Sequence, residues 1–139
     1  MTLEPKQKPD DWDWVSERGR CSGVAIFQAL LGLAKQNVKE RNAQNKETEE
    51  RFRISQTQQH TFAVDDARVR LGLRFVCIEL SADEIHVRGS GTMTEAIYTL
   101  ALTDAGDCRL WCGNVPYQPW QVMRRALEDL FFADRTHSS

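Results

Sequence analysis

The sequence predicts an α+β domain: a long N-terminal helix packed on a four- to five-stranded antiparallel β-meander, followed by a C-terminal helix. Three observations lead to this prediction. Apolar residues recur at helical spacing after Ser22, alternation with period two runs through residues 60–112, and helical spacing returns after Pro119. Short turns separate the strands, which gives an antiparallel order.

The first helix is predicted for residues 22–50. Ser22 is a suitable N-cap because its hydroxyl can accept a backbone N–H. A broad apolar stripe follows, formed by Val24, Ile26, Phe27, Leu30, Leu31, Leu33, Ala34 and Val38. The polar stretch after this stripe contains good helix formers and neither proline nor glycine, so we expect the helix to continue through it. The alternative is a helix that stops near Asn42, followed by a mobile linker, so that the sequence leaves open whether residues 39–59 are helix or linker.

Burial sets the register of the central hairpin. Residues 73–80 are rich in β-branched and aromatic side chains, residues 84–88 alternate, and a tight turn at Ala82-Asp83 joins them. Such a turn places the aliphatic side chains of both strands on one face. The expected pairs are Leu80 with Ile85, Ile78 with Val87, and Val76 with Gly89.

Two further strands extend the meander. The chain returns through Thr92–Thr103, and the turn sequence Asp104–Asp107 predicts a hairpin to Cys108–Cys112. The expected pairs are Leu102 with Cys108, Leu100 with Leu110, and Tyr98 with Cys112. One face of all these strands is therefore apolar and belongs to the core.

Shorter patterns complete the chain. A further strand is predicted at residues 60–64, with a bulge or bend near Gly72 that corrects the phase of the alternation. The C-terminal helix is predicted for residues 119–132, with an apolar stripe of Trp120, Met123, Leu127, Leu130 and Phe131. A single domain then covers residues 12–133, between a flexible N-terminal arm at 1–11 and a flexible tail at 134–139.

The sheet face opposite the core contains the candidate binding residues. Glu79 is expected opposite His86, and His86 opposite Glu95, so that two carboxylates flank one imidazole. Such a row can hold a metal, but opposite-charge pairs across strands also stabilise an ordinary exposed sheet by about 0.2–1 kcal/mol each. We favour the structural interpretation and expect neither metal nor cofactor. The candidate residues are Phe75, Glu79, His86, Arg88, Glu95, Ile97, Arg109 and Trp111.

This mixed face predicts a non-enzymatic protein-interaction or oligomerisation module. Aromatic residues and arginine are enriched at interface cores, so we expect a homodimer or another protein partner, bound through this face or through the leading helix. The chain contains no known catalytic motif, which leads us to expect no enzyme. One alternative is a small-ligand-binding or enzymatic domain, because the element order is similar to that of helix-in-sheet folds such as cystatin-like and nuclear-transport-factor-like domains. That similarity involves no motif and assigns no residues.

A second alternative is single-stranded nucleic-acid binding on the same face, where arginines and aromatics could stack on bases. The balance of 20 acidic against 18 basic residues weighs against it. No apolar run is long enough for a signal peptide or a membrane span, so we expect a cytoplasmic protein with no membrane contact. The four cysteines lack C-x-x-C spacing, which favours buried reduced thiols over disulfides.

Overall fold

The computed structural model describes residues 12–45, 51–68, 74–90 and 95–132. Within these ranges it contains three helices and seven strands, and it confirms the α+β class. In chain order they are α1 (Trp14–Arg20), α2 (Gly23–Gln44), β1 (Phe52–Gln58), β2 (Thr61–Asp66), β3 (Phe75–Ser81), β4 (Glu84–Gly89), β5 (Ala96–Leu102), β6 (Cys108–Cys112), β7 (Val115–Tyr117) and α3 (Pro119–Phe132). The predicted arm, tail and bulge near Gly72 lie outside the described residues.

The seven strands form one antiparallel meander in which each strand pairs with its neighbour in sequence, from β1 at one edge to β7 at the other. Helices α2 and α3 contact each other and pack on the same face of this sheet. The core lies between the two layers and includes Phe27, Phe62, Ile78, Ile85 and Leu110, each completely buried. None of the helices in the described part has the length and apolar composition needed to cross a bilayer.

Helix α2 is shorter than expected. Its start is as predicted, since the Ser22 hydroxyl accepts the Ala25 N–H at 3.2 Å. It ends at Gln44 with Asn45 as C-cap, however, and not near residue 50. The side chain of Asn42 accepts the N–H of Phe52 at 2.9 Å and donates to its carbonyl at 3.0 Å. The side-chain amide of Asn42 therefore makes the two hydrogen bonds that a neighbouring strand would make to Phe52, and it fixes the end of α2 to the start of β1.

Strands β1 and β7 were not among the four to five strands expected. β1 lies in the polar stretch that we assigned to helix or linker, and only its first residues, Phe52 and Ile54, pack on the core. β7 contains Pro116, which an edge strand tolerates because one of its sides makes no ladder hydrogen bonds. Both are edge strands and bury few side chains, so they lack the strong apolar alternation by which the inner strands are recognised.

The register of the central hairpin is confirmed at all three expected pairs, which join β3 to β4. Its turn residues Ala82 and Asp83 have φ angles of 50° and 65°, the left-handed pair that a two-residue type I′ turn requires. The β5–β6 hairpin is confirmed at Leu102 with Cys108 and Leu100 with Leu110. The third expected pair, Tyr98 with Cys112, is not observed, because the pairing of these two strands begins at Thr99 with Trp111.

A buried ionic cluster ties the sheet to the end of α3. The carboxylate of Asp66 has a side-chain exposure of 1% and lies 3.1 Å from both Arg51 and Arg74. Arg74 also donates to the carbonyl of Leu130 at 2.8 Å, and Arg41 from α2 donates to the carbonyl of Phe131. These last carbonyls have no partner within the helix, so the arginines supply the missing donors.

The cysteine prediction was wrong for two of the four thiols. Cys21, which ends α1, forms a disulfide with Cys108 on β6, and their Cα atoms are 5.5 Å apart. Cys77 and Cys112 are free and half-buried. The two bonded cysteines are 87 positions apart, so the contact depends on how the helix layer sits on the sheet and cannot be read from spacing along the chain.

Candidate functional site

The outer sheet face, which we define as the face opposite α2 and α3, contains the predicted binding residues. Arg88, Glu95 and Ile97 are exposed, and the other five are half-buried. The helices that pack on the sheet contact its opposite side, where the buried side chains lie. Among the described residues, therefore, no helix covers this face.

The carboxylate–imidazole row is only partly as predicted. Glu79 does pair with His86 across β3 and β4, but the residue opposite His86 on β5 is Ile97 and not Glu95. The two strands are offset by two residues from the expected register, with Val87 opposite Ala96. Turn residues alone do not determine this offset, because the connection after Gly89 is longer than a tight hairpin.

Two carboxylates nevertheless flank the imidazole of His86. Its Nε2 lies 3.1 Å from Glu84 and its Nδ1 lies 3.4 Å from Glu95. Glu84 was missed although it stands two residues before His86 on the same strand, a spacing that places both side chains on one face. Both carboxylates are substantially solvated, so each contact is an exposed pair worth about 0–1 kcal/mol and ionic only when the ring is protonated.

The described residues offer no group of three or more His, Cys, Asp or Glu side chains placed to hold a metal ion. Chemically, His86, Glu84 and Glu95 form a solvated charge cluster. Opposite-charge contacts also stabilise ordinary exposed sheet faces, so the structural interpretation of the row stays a prediction.

The arginines of this face already contact acceptors. Arg88 donates to the sulfur of Cys77 at 3.7 Å, and this contact is the main cause that raises its pKa above the ordinary value. Arg109 donates to the carbonyl of Cys108 at 2.9 Å and lies 3.8 Å from Asp107. Arg53 on β1 pairs with Asp65 at 3.1 Å. A phosphate backbone would have to compete with these contacts.

The apolar residues of the face gather near its β7 edge. Ile97 is 42% exposed, and Trp111 is its diagonal neighbour because Trp111 pairs with Thr99. Trp111 is oriented by its indole N–H, which donates to the carbonyl of Ala101 at 3.2 Å, and it pairs with Pro116 on β7. We call Ile97, Trp111 and Pro116 the outer patch. Phe75 lies two strands away on β3 and does not join it.

A second surface, the groove between α2 and α3, was not predicted from the sequence. Between α2 and α3 there is an open groove of about 390 Å³, lined by Leu33 of α2 and by Met123 and Leu127 of α3. Trp120 and Phe132 also line it and are 51% and 46% exposed. Trp120 was assigned to the apolar core stripe of the last helix, which is wrong, because it begins the helix on the side that faces solvent.

Comparison with protein-family models, with curated proteins and with solved structures finds no match for this chain.

Proposed function

We propose that the protein is a non-enzymatic interaction module that associates with a second copy of its own chain through the outer sheet face. The observation that supports this most directly is the exposure of Ile97, at 42%, beside Trp111 and Pro116 on a face that no described helix covers. Burial of the Ile97 side chain against another surface would remove its apolar area from water, which lowers the free energy of the complex. Contiguous exposed apolar surface of this kind is typical of contact sites.

A second copy suits this face because its charges are mixed. Arg88 lies near Glu79 and Glu95, and Glu84 contacts His86 on the same face, so the face has no single sign that would select an acidic or a basic partner. Under a two-fold axis the same patch contacts itself, and a surface with both signs can place its basic residues against its acidic ones.

The alternatives receive less support. A ligand-binding or enzymatic domain of the helix-in-sheet kind would enclose its pocket between the helices and the sheet, whereas fully buried apolar side chains such as Phe27 and Ile78 fill that space. Nucleic-acid binding needs available cations, and Arg53, Arg88 and Arg109 already contact acceptors of this chain.

The compartment stays a prediction. The cytoplasmic location expected from the sequence is opposed by the Cys21–Cys108 disulfide, since such bonds persist mainly in oxidising compartments. We infer that the protein works where this bond is stable.

The test is the mass of the protein in solution, measured by size-exclusion chromatography with light scattering over a range of concentrations. We expect the wild type to exceed the monomer mass of 15.9 kDa, and Ile97→Asp to lose the outer-face contact without a change in far-UV circular dichroism. Ser55→Asp is the matched control, because Ser55 is exposed on the same face but lies on β1, far from the patch. A monomeric wild type, or an Ile97→Asp variant with unchanged mass and unchanged dissociation on dilution, would contradict the proposal.

A further inference from the structure

Helix α3 exposes a ridge with a fixed spacing. Trp120, Arg124, Glu128 and Phe132 follow one another at every fourth residue, all four are exposed, and all four line the groove between α2 and α3. Residues four apart form one of the ridges by which helices pack together. The helix buries its other side through Val122, Met123, Ala126, Leu127, Leu130 and Phe131. The ridge is therefore available to a neighbour.

The order of residues along this ridge is self-complementary. It reads aromatic, basic, acidic, aromatic, and it is symmetric about Ala126: Trp120 and Phe132 are each six positions away, and Arg124 and Glu128 are each two positions away. If a second copy of the helix lies antiparallel against this ridge, with the two-fold axis level with Ala126 along the helix, each Arg124 faces a Glu128 and each Trp120 faces a Phe132. A parallel arrangement would instead place like charges together, so the charges favour the antiparallel one.

The groove has room for the aromatic end of such a neighbour. Its volume of about 390 Å³ lies in the range of roughly 300–1,000 Å³ that protein binding pockets occupy. At one end the guanidinium of Arg41 lies 4.3 Å above the ring of Phe132. An incoming indole would meet both an aromatic ring and a cation there, and indole is the ring that such cations bind best.

We propose that α3 is a second self-association surface, on which a second copy of the chain docks antiparallel. Trp120 of each chain enters the partner's groove beside the partner's Phe132, and Arg124 pairs with the partner's Glu128. This contact is independent of the proposed function, because the groove belongs to the helix layer and the outer patch lies on the opposite side of the sheet. Either contact alone gives a dimer, and both together give an assembly of four or more chains.

The experiment reverses the charges of the ridge one at a time. In Arg124→Glu or Glu128→Arg, both cross-chain pairs join like charges, and we expect the Kd of the helix-layer contact to rise about tenfold or more. In an equimolar mixture of the two variants, each mixed dimer contains one native pair and one reversed pair, both attractive. We expect the mixture to regain the wild-type mass in light scattering.

Two controls separate this contact from other causes. Asp129→Arg makes the same charge change as Glu128→Arg, but at the next residue, which is exposed and does not line the groove. It should leave the mass unchanged. Each single variant also loses the contact of 3.4 Å between Arg124 and Glu128 within its own helix, but mixing cannot restore that contact. Recovery in the mixture therefore reports pairing between chains.

The outcomes for the two surfaces are distinguishable. Loss of mass in Arg124→Glu with recovery on mixing supports the helix contact, whatever Ile97→Asp does. A wild-type mass in both single variants, or a mixture that stays dissociated, overturns the helix contact while leaving the outer patch to its own test. A wild type that is monomeric at all concentrations overturns both.

Discussion

Removal of the Cys21–Cys108 disulfide should lower the free energy of unfolding by several kcal/mol. The bond closes a loop between residues 87 positions apart, and on the chain-entropy account a loop of this length restricts the unfolded chain by about 4.6 kcal/mol at 25 °C. Measured losses for native disulfides are about 2–5 kcal/mol. The bond also joins the start of the long helix to the sheet, so its loss affects the layer contact directly.

The assay is urea unfolding followed by tryptophan fluorescence, since the chain has four tryptophans. The double variant Cys21→Ala with Cys108→Ala, and the wild type in reductant, should both unfold at lower urea. At an m-value of about 2 kcal/mol per molar urea, the loss corresponds to a shift of about 2 M. Cys77→Ala is the control, because this free thiol closes no loop, and it should shift the transition by less than about 0.5 M.

Thiol counting determines what a small shift means. The denatured, unreduced protein should contain two reactive thiols per chain, and reductant should raise this number to four. Four thiols before reduction would show that the Cys21–Cys108 bond does not form, which would contradict the prediction whatever the unfolding midpoints are. A change from two to four thiols without a shift in the unfolding midpoint would refute the loop-closure argument instead.

Three further outcomes test the core. Ile78→Ala should cost about 2–5 kcal/mol in urea unfolding, because the side chain is fully buried, and a loss below about 0.5 kcal/mol would mean that the core face is misassigned. Asp66→Asn should cost about 3–5 kcal/mol because it removes a buried carboxylate that lies 3.1 Å from both Arg51 and Arg74. Asp65→Asn removes a solvated pair with Arg53 and should cost under about 1 kcal/mol, and equal losses for the two variants would contradict this. Burial raises the pKa of Tyr98 above the usual 10.0, so the unfolded chain loses its proton first and stability should fall as pH rises past 10. In a difference titration at 295 nm against Tyr98→Phe, ionisation of Tyr98 at or below pH 10 would contradict the shift.

The inner hairpins could be read from the sequence because local chemistry determines them. The expected pairs Ile78 with Val87 and Leu100 with Leu110 are the observed ones. In both hairpins a short turn limits the possible registers, and a slip by one residue would turn the apolar side chains towards water. The last helix could also be predicted, because Pro119 at its start and the helical spacing of the apolar residues after it are local features of the sequence.

The edge strands of the sheet and the end of α2 could not be predicted from local sequence patterns. Strand β1 is mostly polar and exposed, and it is held by pairing with β2 and by the side chain of Asn42. The position of Glu95 relative to His86 also depends on a connection too long to set the register. In such segments the intrinsic preference for helix or strand is weak, and the neighbouring strand or side chain that the fold places beside them determines the conformation.

Alternation, turn geometry and burial act within a few neighbouring residues, and they were enough to predict the class of the fold, the register of the central hairpin and the face on which the candidate residues lie. The pairing of the cysteines, the carboxylates that flank His86 and the groove between α2 and α3 became clear only in the folded protein. The disulfide and the groove join elements that are distant in sequence, and such contacts depend on how two packed layers align, which no local pattern specifies. The contact of Glu95 with His86 depends on the register between β4 and β5, which the long connection after Gly89 leaves open.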